Sequence, residues 1–407
     1  MSITEEQARM AEAVITAEMM ADMEARAGVA LRIDHSVNNE EATRLAVLRF
    51  AGGIGDPNPL WTDEAHAAGS PYGGLVAPPS FVIGCFSGIQ FGWPGLGAFH
   101  SNSDLEFHRP VRLGDRVTAE CVYDGFDGPK PSRFADRIVI DTFTNRYTNQ
   151  RGEMVATIRW SVINYERATA KKKGKESNTL LPHPWTEAEL LALEDEVLAE
   201  QPRGAEPRWW EDVAIGDALD PVIKGPIGLT DEVAFLAGGG APIPRLTAHG
   251  VALREYRKHP AWAFRDPVSS ALEPIYAVHY NKAAANAMGV PLQYDVGFQR
   301  QCWHLHLLTN WIGDAGWVKR AYAEYRRFVY HSDVVRLSGT VVDKYIDADG
   351  EHVIDVTTTA LNQRGEDVMP GRATLALPAR AAGAAVTPAG RRAVPSPSIA
   401  PPGGPRA

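Results

Sequence analysis

The pentapeptide NQRGE stands at Asn149–Glu153 and returns unchanged at Asn362–Glu366, 213 residues downstream. A second pair of segments follows the same rule. RPVRLGDRV (Arg109–Val117) aligns with RFVYHSDVV (Arg327–Val335) at a shift of 218, sharing Arg, Val, Asp and the closing Val. A third pair, FAGGIGDPNP (Phe50–Pro59) and FLAGGGAPIP (Phe235–Pro244), aligns at a shift of 185. Similar shifts at separate places identify diverged duplicates. The step from 185 to 218 requires 33 extra residues in the second copy, between the glycine-rich turn and the strands.

Both copies have one grammar: a helix ending in a Gly-rich turn, an apolar central helix, then strands joined by hairpins. That order of elements is α+β. The first central helix is expected over PPSFVIGCFSGIQFG (Pro78–Gly92), where proline is allowed at the start, and the second over Asp295–Asp314. DRVTAECVYDGF, ADRIVIDTFTNRYTNQ, VVRLSGTVVDKYI and EHVIDVTTTALNQ alternate as strands with one covered face do. NQRGE and DADGEH read as the hairpin turns.

A chain of 407 residues, 44% hydrophobic and 22% charged, is long for one domain and apolar enough for two. The expected units are residues 1–165, a linker over 166–206, a second unit over 207–380 that holds the insertion, and a disordered tail over 381–407 rich in Ala, Pro, Gly and Ser. Cys85, Cys121 and Cys302 lack metal-type spacing and read as buried thiols in a reducing cytosol. The start, MSITEEQARMAEAVITAEMM, has no secretion-signal pattern, and no window holds the roughly 18 apolar residues of a membrane helix. A cytoplasmic protein is expected. Its net charge of −9 argues against a nucleic-acid partner, which demands a basic face. The one basic run, AKKKGK (Ala170–Lys175), reads as a solvated loop, or as a landing site for a phosphorylated carrier such as coenzyme A.

IGDPNPLWTDEAH (Ile54–His66) places an Asp and an Asn in a tight proline turn, where a carboxylate is aimed into a cleft. GDPNPLW resembles the GDxNPxH motif of the MaoC-like hydratases and dehydratases in all but its last residue. With VAPPSF (Val76–Phe81) and LEFHRPVRLGDRV behind it, the first copy resembles the FAS1-like dehydratase domain over about residues 30–165. The second copy, from WWEDVAIGDALDPVIKGPIGLTDEVAFLAGGG to GRATLALPA, resembles the partner hot dog of a tandem pair. The resemblance implies a double hot-dog fold whose sheets pair edge to edge around an acyl-thioester tunnel. It also implies reversible addition of water to a 2-enoyl-CoA by a lyase of lipid metabolism, without metal or redox cofactor, as a possible homodimer of double hot dogs.

In that family a loop Asp and a His five residues later share the acid/base work. Asp56 and Asn58 match the motif, but Trp61 takes the place of the His and transfers no proton. The shift of 218 carries Trp61 onto His279, within HYNKAAANAMG, with Asn281 at the place of the motif's second acid. The shift of 185 carries Asp56 onto Ala241. The second copy therefore keeps the His and loses the Asp. Asp266, Glu273 and His249 of the insertion are candidate replacements, Asp266 foremost. Gly297 opens the second central helix and offers free N–H groups to a thioester oxygen, whereas its counterpart Pro79 has none. His100 and His108 fall on one face of a strand and are expected to line the tunnel. His304 and His306, at i and i+2, fall on different helix faces and read as core or surface histidines rather than a metal pair. The reacting set expected is His279, Asp56 and Asp266, with Asn58, Trp61, His100, Gly297 and Asn281 around the substrate. A thioesterase and a catalytically silent acyl-binding partner are the other readings of the same residues.

Overall fold

The computed structural model describes residues 13–31, 39–85, 93–174, 179–240, 246–260 and 263–380. The first copy supplies β1 (Gly97–Phe107), β2 (Val117–Lys130), β3 (Ile138–Asn149) and β4 (Met154–Tyr165). The second supplies β5 (Ala218–Lys224), β8 (Trp317–Glu324), β9 (Val335–Ile346), β10 (His352–Asn362) and β11 (Gly371–Ala376). These nine strands form one antiparallel sheet, ordered β2-β3-β4-β1-β8-β11-β10-β9-β5. The fold is the α+β double hot dog.

The two halves join edge to edge at β1 and β8, paired from Asn102–Glu324 to Glu106–Arg320. Asp104 faces Tyr322 at the middle of this seam, and those two residues are separated by the same 218 positions as the sequence repeat. A pseudo-twofold axis therefore passes between them. The Arg320 guanidinium donates to the Asp104 carboxylate across the seam.

NQRGE survives in both copies because each of its residues has work. Gly152 and Gly365 adopt the left-handed conformation, at φ 74° and 73°, that these turns require. The side-chain amides of Asn149 and Asn362 donate to Glu153 and Glu366 at 2.8 and 2.9 Å. Arg151 and Gln150 reach back to Asp115, and Arg364 and Gln363 reach back to Asp333, the aspartates of the second repeated segment. The third repeated segment brings the copies together. A Cβ on Gly53 would lie 2.6 Å from the Ala234 carbonyl oxygen, and one on Gly238 would lie 2.7 Å from that of Arg49, so the helices Arg44–Gly53 and Leu229–Ala237 cross at backbone distance.

The second central helix, Gly297–Ile312, is buried from Gln299 to its end, as its position against the sheet demands. In the first copy the expected helix begins as a 3-10 turn, Pro79–Cys85, and the rest of its predicted span lies outside the described residues. The insertion folds as a helix, His249–Lys258, and a hairpin of β6 (Ala263–Arg265) and β7 (Leu272–Pro274). Between the copies, the helix Glu187–Leu198 starts with a capping box of Thr186 and Glu189. The lysine run is not a loop. Lys171–Lys173 close a helix, Arg167–Gly174, whose Ala170 is buried beside Tyr165, and Lys173 Nζ binds the Ser132 carbonyl (3.0 Å) and Asp136 (2.9 Å). Lys175 and the tail 381–407 lie outside the described residues. All three cysteines are free and buried. Among the described residues no helix is long and apolar enough to cross a membrane.

Candidate active site

The loop after the helix Arg44–Gly53 is a chain of local caps. Asp56 is buried and accepts the Asn58 amide at 3.1 Å, and Asn58 Oδ1 accepts the Leu60 amide at 2.9 Å, which starts the short helix Pro59–Thr62. Trp61 on that helix is buried, and its indole N–H has no hydrogen-bond partner among the described residues. Asn58 and Trp61 line an apolar cleft between the halves, with about 550 Å³ of open space including its mouth. Tyr72, Pro79 and Phe107 of the first copy and Thr309, Ile312 and Trp317 of the second complete the wall around them, and Arg109 is the one charged residue in the described lining.

Asp56 itself meets a residue read from sequence as a core or surface histidine. His306 of the second central helix places Nε2 3.6 Å from Asp56 and 2.7 Å from Glu200 Oε1. On its other side Nδ1 lies 2.9 Å from the Lys224 ammonium, which also donates to the Gly55 carbonyl at 2.7 Å. Lys224 can only donate, so Nδ1 accepts and Nε2–H points at Glu200. Asn310 donates to Glu200 at 2.9 Å. Burial pushes the Lys224 ammonium down, against the pull of Glu200 and Asp56. Both nitrogens of His306 are engaged and its side chain is fully buried, so the network braces the two copies and the linker against one another. His304, two residues earlier, instead faces Thr358 Oγ1 of β10 at 3.0 Å, on a different side of the helix as the spacing predicts.

The expected set of Asp56, Asp266 and His279 does not assemble. Among the described residues no hydrogen bond or ion pair joins Asp56 to His279. Asp266 holds the β6–β7 turn: Oδ1 accepts the amides of Val268 (2.8 Å) and Ser269 (2.7 Å), and Oδ2 accepts the Asn281 amide at 2.7 Å. The Ser269 amide, then Asn281, holds its carboxyl down at about 2. Asn281 Oδ1 caps the helix Lys282–Ala287. Asp63, 218 residues earlier, caps the helix Glu64–Gly69 in the same way, so this motif position is a helix cap in both copies.

His279 closes a short 3-10 turn, Ile275–His279, near the N-terminal end of the second central helix. It is half-buried. Its Nδ1–H donates to the Tyr294 carbonyl at 2.9 Å, which fixes the tautomer and leaves the Nε2 lone pair as a base. The ring is flanked by Tyr276 and Tyr294, with centroids 4.5 and 4.9 Å away. His331 Nε2–H donates to the His279 carbonyl at 2.9 Å. Burial lowers the His279 pKa to about 4, against the opposing pull of the Tyr294 and Asp295 carbonyls, so the imidazole is neutral at pH 7.

Gly297 is the first residue of the central helix, and His100 of β1 packs directly on it. A Cβ there would lie 2.6 Å from His100 Cβ. His100 shares a hydrogen bond with Ser103 Oγ at 2.9 Å, and burial lowers its pKa to about 3, so the ring is neutral at pH 7. A bulge between His100 and Asn102 reverses the strand's parity, so His100 joins Ser103, Leu105 and Phe107 on the inner face, and His108 lies on the other side beside Thr157. The shared face expected for the two histidines therefore fails.

The family model described as FAS1-like, dehydratase domain region matches residues 31–158. An (R)-specific enoyl-CoA hydratase of Aeromonas caviae is 32% identical over 114 residues, which are 27% of this chain and 78% of that protein. The chain belongs to the MaoC-like hydratase/dehydratase family. A UPF0336 protein of Streptomyces avermitilis is 36% identical over 86 residues, 19% of this chain. The chain spans 57% of that relative and of its counterpart in Thermobifida fusca. A solved MaoC-like dehydratase covers 88% of the chain with a TM-score of 0.58 at 18% identity, and nearly all of that chain is matched. The fold of the MaoC-like family thus extends over both copies.

Proposed function

We propose that the chain is a hydratase/dehydratase of 2-enoyl thioesters, with coenzyme A as the carrier, and that the second copy reacts while the first binds. The observation that carries this reading is His279: a motif-aligned, neutral imidazole beside the start of the central helix, with Nδ1 anchored and Nε2 left as base. Hydration needs a base for the water proton, a proton for the alpha carbon and donors for the thioester oxygen. His279 supplies the first. The first-turn amides of the central helix, from Gly297, which have no acceptor within the helix, supply the last, with a favourable helix dipole. Asp56 has the motif's place but stands in a braced network with a partner whose nitrogens are both occupied. Its loop supports the apolar cleft that Asn58 and Trp61 line, which His279 and Gly297 do not border.

A panel of 2-enoyl and 3-hydroxyacyl coenzyme A esters, followed by mass spectrometry, tests the reading. A gain or loss of water without free thiol is the expected result. Release of free thiol would replace it with a thioesterase, and binding without turnover would leave a silent acyl-binding partner.

A further inference from the structure

The helix Leu229–Ala237 is turned inside out at one position. Leu229 and Val233 are 54% and 52% exposed, while Glu232 between them is fully buried. Neither carboxyl oxygen of Glu232 has a hydrogen-bond partner among the described residues. Buried carboxyls without partners are costly, and a folded chain rarely keeps one without a use for it. The repeat sharpens the anomaly. At the shift of 185 that superposes Phe50 on Phe235, the counterpart of Glu232 is Val47, an ordinary buried apolar residue. At this helix position a carboxyl is buried only in the copy whose loop has lost its Asp.

Its surroundings connect it to His279. The Tyr276 hydroxyl is also buried without a hydrogen-bond partner among the described residues, and the Gln299 side chain at the start of the central helix donates to the Asp231 carbonyl at 3.4 Å, which sets the Glu232 helix against the same end of the central helix as His279. The Tyr276 ring lies 4.5 Å from that of His279. Burial first, then the charges of Asp295 and Asp231, hold the Glu232 proton well above the ordinary carboxylate range. Asp295 is itself neutralised by a bidentate Arg300 at 2.7 and 2.5 Å, and Asp231 caps its own helix through the Gly228 amide. Glu232 has no such partner among the described residues.

We infer that Glu232 is the general acid of the second copy, a helix-borne carboxyl standing in for the loop Asp that the duplication lost. This assignment rests on the hydratase reading of His279. In the hydration direction His279 Nε2 takes a proton from water as the oxygen bonds to the beta carbon. The carbon–carbon π pair moves to the alpha carbon, which takes the Glu232 carboxyl proton. The imidazolium then returns its proton to the Glu232 carboxylate through water, and the net change is one water added.

The test is Glu232→Gln, which keeps size and burial but carries no acid proton, measured with His279→Ala on the best 2-enoyl-CoA of the panel. Turnover by Glu232→Gln should fall about a hundredfold or more with KM little changed. A folding readout separates this from a packing role. Because the folded pKa lies above the unfolded value of about 4.5, the unfolded state loses its proton first, and Glu232 weakens the fold increasingly as pH rises above that value. Glu232→Gln should therefore be no less stable than the native chain at pH 8, despite its lost activity. Near-native turnover by Glu232→Gln beside an inactive His279→Ala overturns the assignment and leaves the function standing. No turnover of any 2-enoyl or 3-hydroxyacyl ester by the unchanged protein overturns both.

Discussion

His306 and His279 are both histidines of the second copy, and their partners give them opposite roles. His306 has a lysine on one nitrogen and a carboxylate on the other. Its replacement by Ala takes one partner each from Lys224 and Glu200, which keep the Gly55 carbonyl and the Asn310 side chain, in a closed site, a class of loss worth about 1–3 kcal/mol. The expected result in chemical denaturation is a midpoint well below native for His306→Ala, against a small change for His279→Ala. The pH dependence of His279 follows from its lowered pKa. The base form exists above about 4, so kcat/KM should hold its plateau through pH 6 and fall on the acid side only near that value. Its contribution to stability has the same sign: complete above the unfolded value near 6.5, and lost as pH falls from there towards 4. An acid limb centred near 6.5 in kcat/KM would contradict the buried, neutral imidazole.

Elements show what the chain discloses by pattern and what it conceals. NQRGE disclosed the duplication because a hairpin turn, its glycine and its arginine are local necessities repeated in order. The capping box at Thr186 and Glu189 is equally local, and Thr186→Ala should cost about 1 kcal/mol in the same denaturation series. The bulge at His100 was not legible, since nothing in the residues from 97 to 107 announces a change of parity. Nor was the Asp56–His306–Glu200 network, whose members come from a loop, a helix and the linker and meet only in the folded molecule. The sequence does mark Glu232: LTDEVAFLA aligned on its first-copy counterpart puts an acid where the core has Val47. The lysines of the helix Arg167–Gly174 keep a role open to test. Lys171 and Lys172 are exposed, so if they attract a phosphorylated carrier, replacing both with Gln raises the apparent KM at low salt and not at high salt. An unchanged KM at low ionic strength would leave them as solvated charges.

At the scale of the whole molecule, the proposed function divides labour between two copies that share one sheet. The seam of β1 and β8 sits on the axis that the repeat defines. Each copy's glycine-rich helix packs on the other's backbone, so the halves form one body rather than two tethered domains. Within that body the first copy kept Asp56 and lost its His to Trp61, whose ring now lines an apolar cleft, while the second kept His279 and placed Glu232 in its core. The most direct test of this division is the turnover of one 2-enoyl-CoA by His279→Ala and by Asp56→Asn, each compared with the unchanged chain. The account predicts a loss of about a hundredfold or more for His279→Ala with the fold intact. For Asp56→Asn, whose amide oxygen can still accept the Asn58 amide, it predicts a smaller effect, larger on KM than on kcat. Near-native turnover by His279→Ala, with Asp56→Asn inactive, would place the chemistry in the first copy and contradict it.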